Sequence, residues 1–170
     1  MGAPSLSRRA FLRGAPPAAP PPLRPPWALD EPAFLSACTT CGDCVAACPE
    51  AVLVAAADGR PVFDPGQGEC TFCEACVTAC EPHALDLSRV APAWRLKAAI
   101  ASTCLALNGV TCLSCRDACG ETAIRFRPAL GGARPELDPE RCTGCGACVS
   151  PCPVSAIALA APLDEARPHG

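Results

Sequence analysis

Tyrosine is missing from this 170-residue chain, tryptophan occurs twice, phenylalanine five times, and lysine once, at position 97. A core built on aromatic rings is therefore not available. No uninterrupted run of about 18 apolar residues exists, so no segment reads as a membrane-spanning helix. The formal charge is −3, and the fourteen basic groups are nearly all Arg and scattered, which gives no case for nucleic-acid binding. The only histidines are His83 and His169. With no pairing of nucleophile and base and no nucleotide fingerprint, nothing points to an enzyme with its own turnover. Against these absences stand sixteen cysteines. That density belongs either to a disulfide scaffold or to metal or cluster sites that stand in for a hydrophobic core.

The first 36 residues form a Pro- and Ala-rich arm headed by Ser7-Arg8-Arg9, which has the look of a twin-arginine export signal. An export signal needs an apolar stretch of roughly 7–15 residues behind its basic residues. Here Arg13, Gly14, Pro16 and Pro17 interrupt that stretch at once, so the arm is expected to be extended and not exported. The location expected on this reading is the cytoplasm.

From residue 37 the chain repeats. Residues 51–87 align with 122–159: a short apolar strand, a Gly turn, a second strand ending in Asp-Pro (Asp64-Pro65, Asp138-Pro139), then a cysteine run. The reading is an arm (1–36), a two-cluster module (37–89), a connector (90–103), a second two-cluster module (104–162) and a tail (163–170). Trp94, Leu96, Ala99 and Ile100 after Pro92 predict a short helix in the connector. The fold class expected is α+β, bacterial-ferredoxin-like, with two tandem modules of short strands and helices.

Three runs share one spacing. They are Cys38, Cys41, Cys44 and Cys48; Cys70, Cys73, Cys76 and Cys80; and Cys142, Cys145, Cys148 and Cys152. This C-x2-C-x2-C-x3-C run, followed by Pro at once (Pro49, Pro153) or after Glu81 (Pro82), is the bacterial pattern for a [4Fe–4S] cluster. Two-residue spacers let three thiolates wrap one cube, and the x3 step aims the fourth away from it. Ala84, Ala123 and Ala156, four residues past a final Cys, are small enough to let the backbone close over the cube. Cysteines at i, i+3 and i+6 strain disulfide geometry, and zinc uses C-x2-C pairs without the third thiolate, so both alternatives are disfavoured.

The third run departs from this pattern: seven residues separate Cys104 from Cys112, which is followed by Cys115, Cys119 and Gly120. A fourth cube still has four ligands, but the longer loop is expected to be mobile and to screen its site least. In two-cluster ferredoxins the fourth Cys of each run ligates the other cube. Crossing then groups Cys38, Cys41, Cys44 with Cys80, and Cys70, Cys73, Cys76 with Cys48. It also groups Cys104, Cys112, Cys115 with Cys152, and Cys142, Cys145, Cys148 with Cys119. Four oxidised clusters would add roughly −8 to the formal charge.

The order of parts resembles the NapF family of ferredoxin-type proteins from periplasmic nitrate reductase operons. The resemblance rests on Ser7-Arg8-Arg9, Arg24-Pro25-Pro26-Trp27, Trp94, the stretched run "CLALNGVTCLSC" and Phe126-Arg127-Pro128. It implies a cytoplasmic polyferredoxin that binds the precursor of the molybdenum-containing nitrate reductase catalytic subunit and helps mature it before export. Two other classes compete: a carrier or electron-transfer subunit of another oxidoreductase, and an iron–sulfur sensor, for which no helix-turn-helix pattern is found. Arg8 and Arg9 would be free to touch the client or an anionic membrane surface at up to about 1 kcal/mol per charge.

Overall fold

Proline decides where the first helix begins. Pro32 lies in the first turn of α1 (Glu31–Ala37), where a missing N–H costs nothing and the fixed φ suits the helix. The computed structural model describes residues 22–90 and 92–160. Arg8, Arg9, the rest of the head and the tail lie outside the described residues. The part of the arm that is described is not a free extended strand. Pro25, Pro26 and Phe34 are fully buried and Trp27 nearly so. The Trp27 N–H donates to the Ala93 carbonyl at 2.6 Å, and its carbonyl accepts from Asp86 N–H at 2.9 Å. Apolar rings that leave water together explain why so Pro-rich a stretch packs against the body of the protein.

After α1 the chain builds two similar halves. In the first, helix α2 (Asp43–Ala46) leads to an antiparallel hairpin of β1 (Leu53–Ala55) and β2 (Pro61–Phe63), then helix α3 (Ala75–Thr78). In the second, β3 (Lys97–Ile100), a 3-10 turn (Ala106–Asn108) and α4 (Ser114–Asp117) precede the longer hairpin of β4 (Ile124–Ala129) and β5 (Gly132–Leu137). Strand β6 (Ile157–Ala160) closes that half by pairing antiparallel with β3. The corresponding place in the first half is a single bridge between Ala28 and Leu85. These small helices and two-stranded ribbons are a bacterial-ferredoxin-like arrangement.

The predicted connector helix is a strand instead. Lys97 pairs with Ala160 and Ile100 with Ile157. A helix there would leave the backbone of residues 157–160 without this partner, so the ladder outweighs the helical spacing of the apolar side chains. Cysteines and small residues fill the core: Cys44, Cys76, Cys115, Cys142 and Cys148 are buried among Val52, Leu85, Ile124 and Leu159. Ala84, Ala123 and Ala156 are all within 2 % of full burial, as the close approach of the chain over each site requires.

Candidate metal centres

All sixteen cysteines are free thiols, none paired in a disulfide. They gather in crossed sets. Cys38, Cys41 and Cys44 share a concavity with Cys80 of the second run. Cys70, Cys73 and Cys76 share one with Cys48 of the first, and Cys142, Cys145 and Cys148 one with Cys119 of the third. The three concavities are nearly equal in size. The remaining thiols also meet. Cys115 has Cys104 and Cys112 as neighbours, and Cys104 packs with Cys152 around Ala106 and Ala156.

The backbone explains how the runs aim their thiols. After every final cysteine, the third residue adopts the left-handed conformation: Ala51, His83, Thr122 and Ser155, at φ 53°, 55°, 50° and 48°. Each donates its N–H back to the cysteine carbonyl, at 3.2, 3.1, 3.0 and 3.1 Å. This turn starts the chain back over the neighbouring site. His83 is thereby given a backbone role.

A second device is shared by only three runs. Left-handed residues flank the second cysteine on both sides: Thr40 and Gly42, Phe72 and Glu74, Gly144 and Gly146. Alternating handedness turns successive N–H groups toward one point, which makes an anion-binding nest. Three of these six positions are not visible in the sequence, since Thr40, Phe72 and Glu74 carry side chains that normally avoid this region. Strain of about 1–3 kcal/mol per such residue persists where surrounding structure and function impose it. In the third run the device is missing: Leu113 has φ −128°. There the Ser114 hydroxyl lies 3.7 Å from the Cys112 sulfur instead.

The electrostatics show what these sites require of a bound group. Burial pushes Cys76 and Cys148 up to about 12, with the neighbouring thiols adding to it. Burial likewise raises Cys44, Cys70 and Cys115 to about 11. Thiolates in these places need a cationic centre to hold them deprotonated, and binding one releases protons. Among the described residues no three His, Cys, Asp or Glu side chains gather tightly enough to hold one metal ion. A single zinc ion, with Zn–S near 2.3 Å, would draw its sulfurs closer together than a four-iron cube does. The donor set of four thiols at each concavity and the backbone nests beside them fit an iron–sulfur cluster.

The stretched third run is better screened than its length predicts. Cys104 is buried where Cys38 is only half-buried, and Cys112 and Cys145 are half-buried where Cys41 and Cys73 are exposed. Asn108 is the reason, and the sequence reading passed over it. Its amide donates to both the Ser102 and the Cys104 carbonyls at 2.8 Å, which folds the inserted residues into a closed turn. An Asn followed by a Gly that can take φ 79° is the signal that could have revealed it.

Comparison with known proteins agrees with this chemistry. Residues 37–85 match the model of the 4Fe-4S dicluster domain, and residues 135–158 that of the 4Fe-4S binding domain. The ferredoxin-type protein NapF of Escherichia coli K12 is 45% identical over 152 residues, 89% of this chain and 92% of that protein. Its Haemophilus influenzae counterpart is 38% identical over 138 residues, covering 81% and 78%. The methylamine utilization ferredoxin-type protein MauM of Methylobacillus flagellatus is 37% identical over 174 residues, covering 91% and 74%. With a relative this similar over nearly the full length of both, the chain belongs to the NapF family of ferredoxin-type iron–sulfur electron-transfer proteins.

Proposed function

We propose that the protein is a polyferredoxin with four [4Fe–4S] sites that helps mature the catalytic subunit of a periplasmic nitrate reductase before that subunit is exported. The crossed gathering of the sixteen thiols into four sets carries the first half of this reading. On it, Cys38, Cys41, Cys44 and Cys80 hold the first cluster, and Cys70, Cys73, Cys76 and Cys48 the second. Cys104, Cys112, Cys115 and Cys152 hold the third, and Cys142, Cys145, Cys148 and Cys119 the fourth. Bound there, the clusters supply one-electron chemistry at low potential. The chain's part is to hold them, set their surroundings with inward N–H groups, and present them to a client.

The second half rests on likeness to the NapF proteins. A factor that works on a client before export acts in the cytoplasm. Among the described residues no helix is long and apolar enough to cross a membrane. Arg8 and Arg9 would then serve weak contact with the client or the membrane surface. A second reading, electron carriage for another oxidoreductase, is favoured by the MauM likeness over 91% of this chain. One experiment separates them. The cytoplasmic precursor of the nitrate reductase subunit is captured with the anaerobically purified protein, and its iron content and activity are compared in cells with and without the chain. Maturation predicts capture, and a client poor in iron or activity without the chain. A fully active, iron-replete client in the deletion strain leaves the carrier reading.

A further inference from the structure

The two halves touch where two of the proposed ligands meet. The Cys70 N–H donates to the Cys145 carbonyl at 2.8 Å. Cys70 belongs to the second set and Cys145 to the fourth, so a path with a single hydrogen bond as its non-covalent step joins a sulfur of one site to a sulfur of the other. Resting on the ligand sets above, we propose that electrons pass between the halves at this junction. The four sites are then ordered first, second, fourth, third, and the first and third sites are the ports through which an electron enters and leaves. One electron is lost at one site and gained at the next, with no bond broken and no proton moved. An external one-electron donor at one port and an acceptor at the other complete the balance.

Several contacts converge to fix this junction. A Cβ on Gly146 would stand 2.9 Å from Pro65 and 3.0 Å from the Phe63 ring, so the fourth run's loop lies directly on the end of β2. Gly144 is pressed as closely against the Leu96 carbonyl, where no side chain fits. Trp94 joins all parties: its indole N–H donates to the Thr143 carbonyl at 2.9 Å. Its ring lies 4.8 Å from Phe63 and 5.5 Å from Phe72, which precedes Cys73. Within the second half, Lys97 steadies the same loop by a bond from its ammonium to the Cys142 carbonyl at 2.5 Å. Trp94 is thus a positioning residue that holds the fourth run's loop against the second's. First-run and third-run residues take no part in these contacts.

The test uses the full chain, purified without oxygen and reduced with dithionite. Cys41→Ala with Cys112→Ala leaves the second and fourth sites. Cys73→Ala with Cys148→Ala leaves the first and third. Electron paramagnetic resonance should show two interacting spins in the former and two isolated spins in the latter. Isolated spins in the former, with iron for both sites present, overturn the order while leaving the proposed function intact. A wild-type chain without iron overturns both. Because ligand variants can fail to fold, Trp94→Leu supplies a second measurement. With iron content unchanged, electron equilibration between the halves after pulsed reduction should slow several-fold, and Trp94→Phe should restore part of it. An unchanged rate in Trp94→Leu overturns the positioning role.

Discussion

The two halves brace their first cysteine from opposite sides. In the first half the brace comes before it: α1 runs into Cys38, whose N–H donates to the Phe34 carbonyl at 2.9 Å. An ion pair of 2.7 Å between Arg24 and Glu31 and the Arg24 guanidinium over the Phe34 ring hold that helix in place. In the second half the brace comes after: the 3-10 turn and Asn108 close on the carbonyl of Cys104. The seven residues between Cys104 and Cys112 are therefore room for a support that the first half keeps outside its run. A longer spacing need not mean a looser site, because what screens a sulfur is the packing of the inserted residues and not their number.

The hardest blow to this picture is a test of the crossing itself. Cys152→Ala should remove the third-run site although it lies in the fourth run, and Cys119→Ala should remove the fourth-run site. Each should cost about a quarter of the iron. Iron and sulfide assays on the anaerobic proteins, with the spectrum of the surviving sites, decide it. If Cys152→Ala instead empties the site of Cys142, Cys145 and Cys148, ligation is not crossed in this half.

Next in size is the order of loss on exposure to oxygen or a chelator. Exposed Cys41 and Cys73 against half-buried Cys112 and Cys145 put the first half at greater risk. Its two sites should bleach several-fold faster than those of the second. Asn108→Ala should reverse the advantage at the third-run site alone. The loss of two hydrogen bonds that close the turn weakens it by about 1–3 kcal/mol. Iron release followed in time, in wild type and Asn108→Ala, measures both effects. Bleaching that begins at the third-run site in the wild type would show that loop motion outweighs burial.

Much of this was legible in the residues, and the exceptions share a cause. Cysteine spacing has a direct geometric meaning, so the four runs and the buried Ala84, Ala123 and Ala156 could be read without coordinates. The connector misled because helical and strand spacing of apolar residues differ little over four positions, and the deciding partner, β6, lies about sixty residues away. The arm misled in the same way. Proline content speaks of local conformation, whereas Trp27 is fixed by hydrogen bonds to Asp86 and Ala93, and Pro25 and Pro26 are fully buried beside it. Thr40, Phe72 and Glu74 at positive φ follow from the site they surround and not from their own preference.

The smallest expected effect sharpens the contrast between a charged brace and a neutral one. The Glu31 carboxyl is held below its ordinary value, first by the hydrogen bond from Arg24. Its contribution is thus fully present above the ordinary carboxylate range and is lost only as pH falls through the lowered value. Glu31 is 47 % exposed, so solvent screening limits the pair to about 1 kcal/mol or less. Glu31→Gln should then speed hydrogen exchange at the Cys38 amide by at most about fivefold. The difference should be the same at pH 6 and pH 8, since both lie on the charged side of the transition, and should shrink in about 1 M salt, where the Debye length falls to about 3 Å. Exchange at the Asn108 amide, bonded to the Cys104 carbonyl at 3.2 Å, should respond to neither the substitution nor the salt. A salt response at Asn108 equal to that at Cys38 would mean that both braces yield to one shared opening, and that the halves are not supported separately.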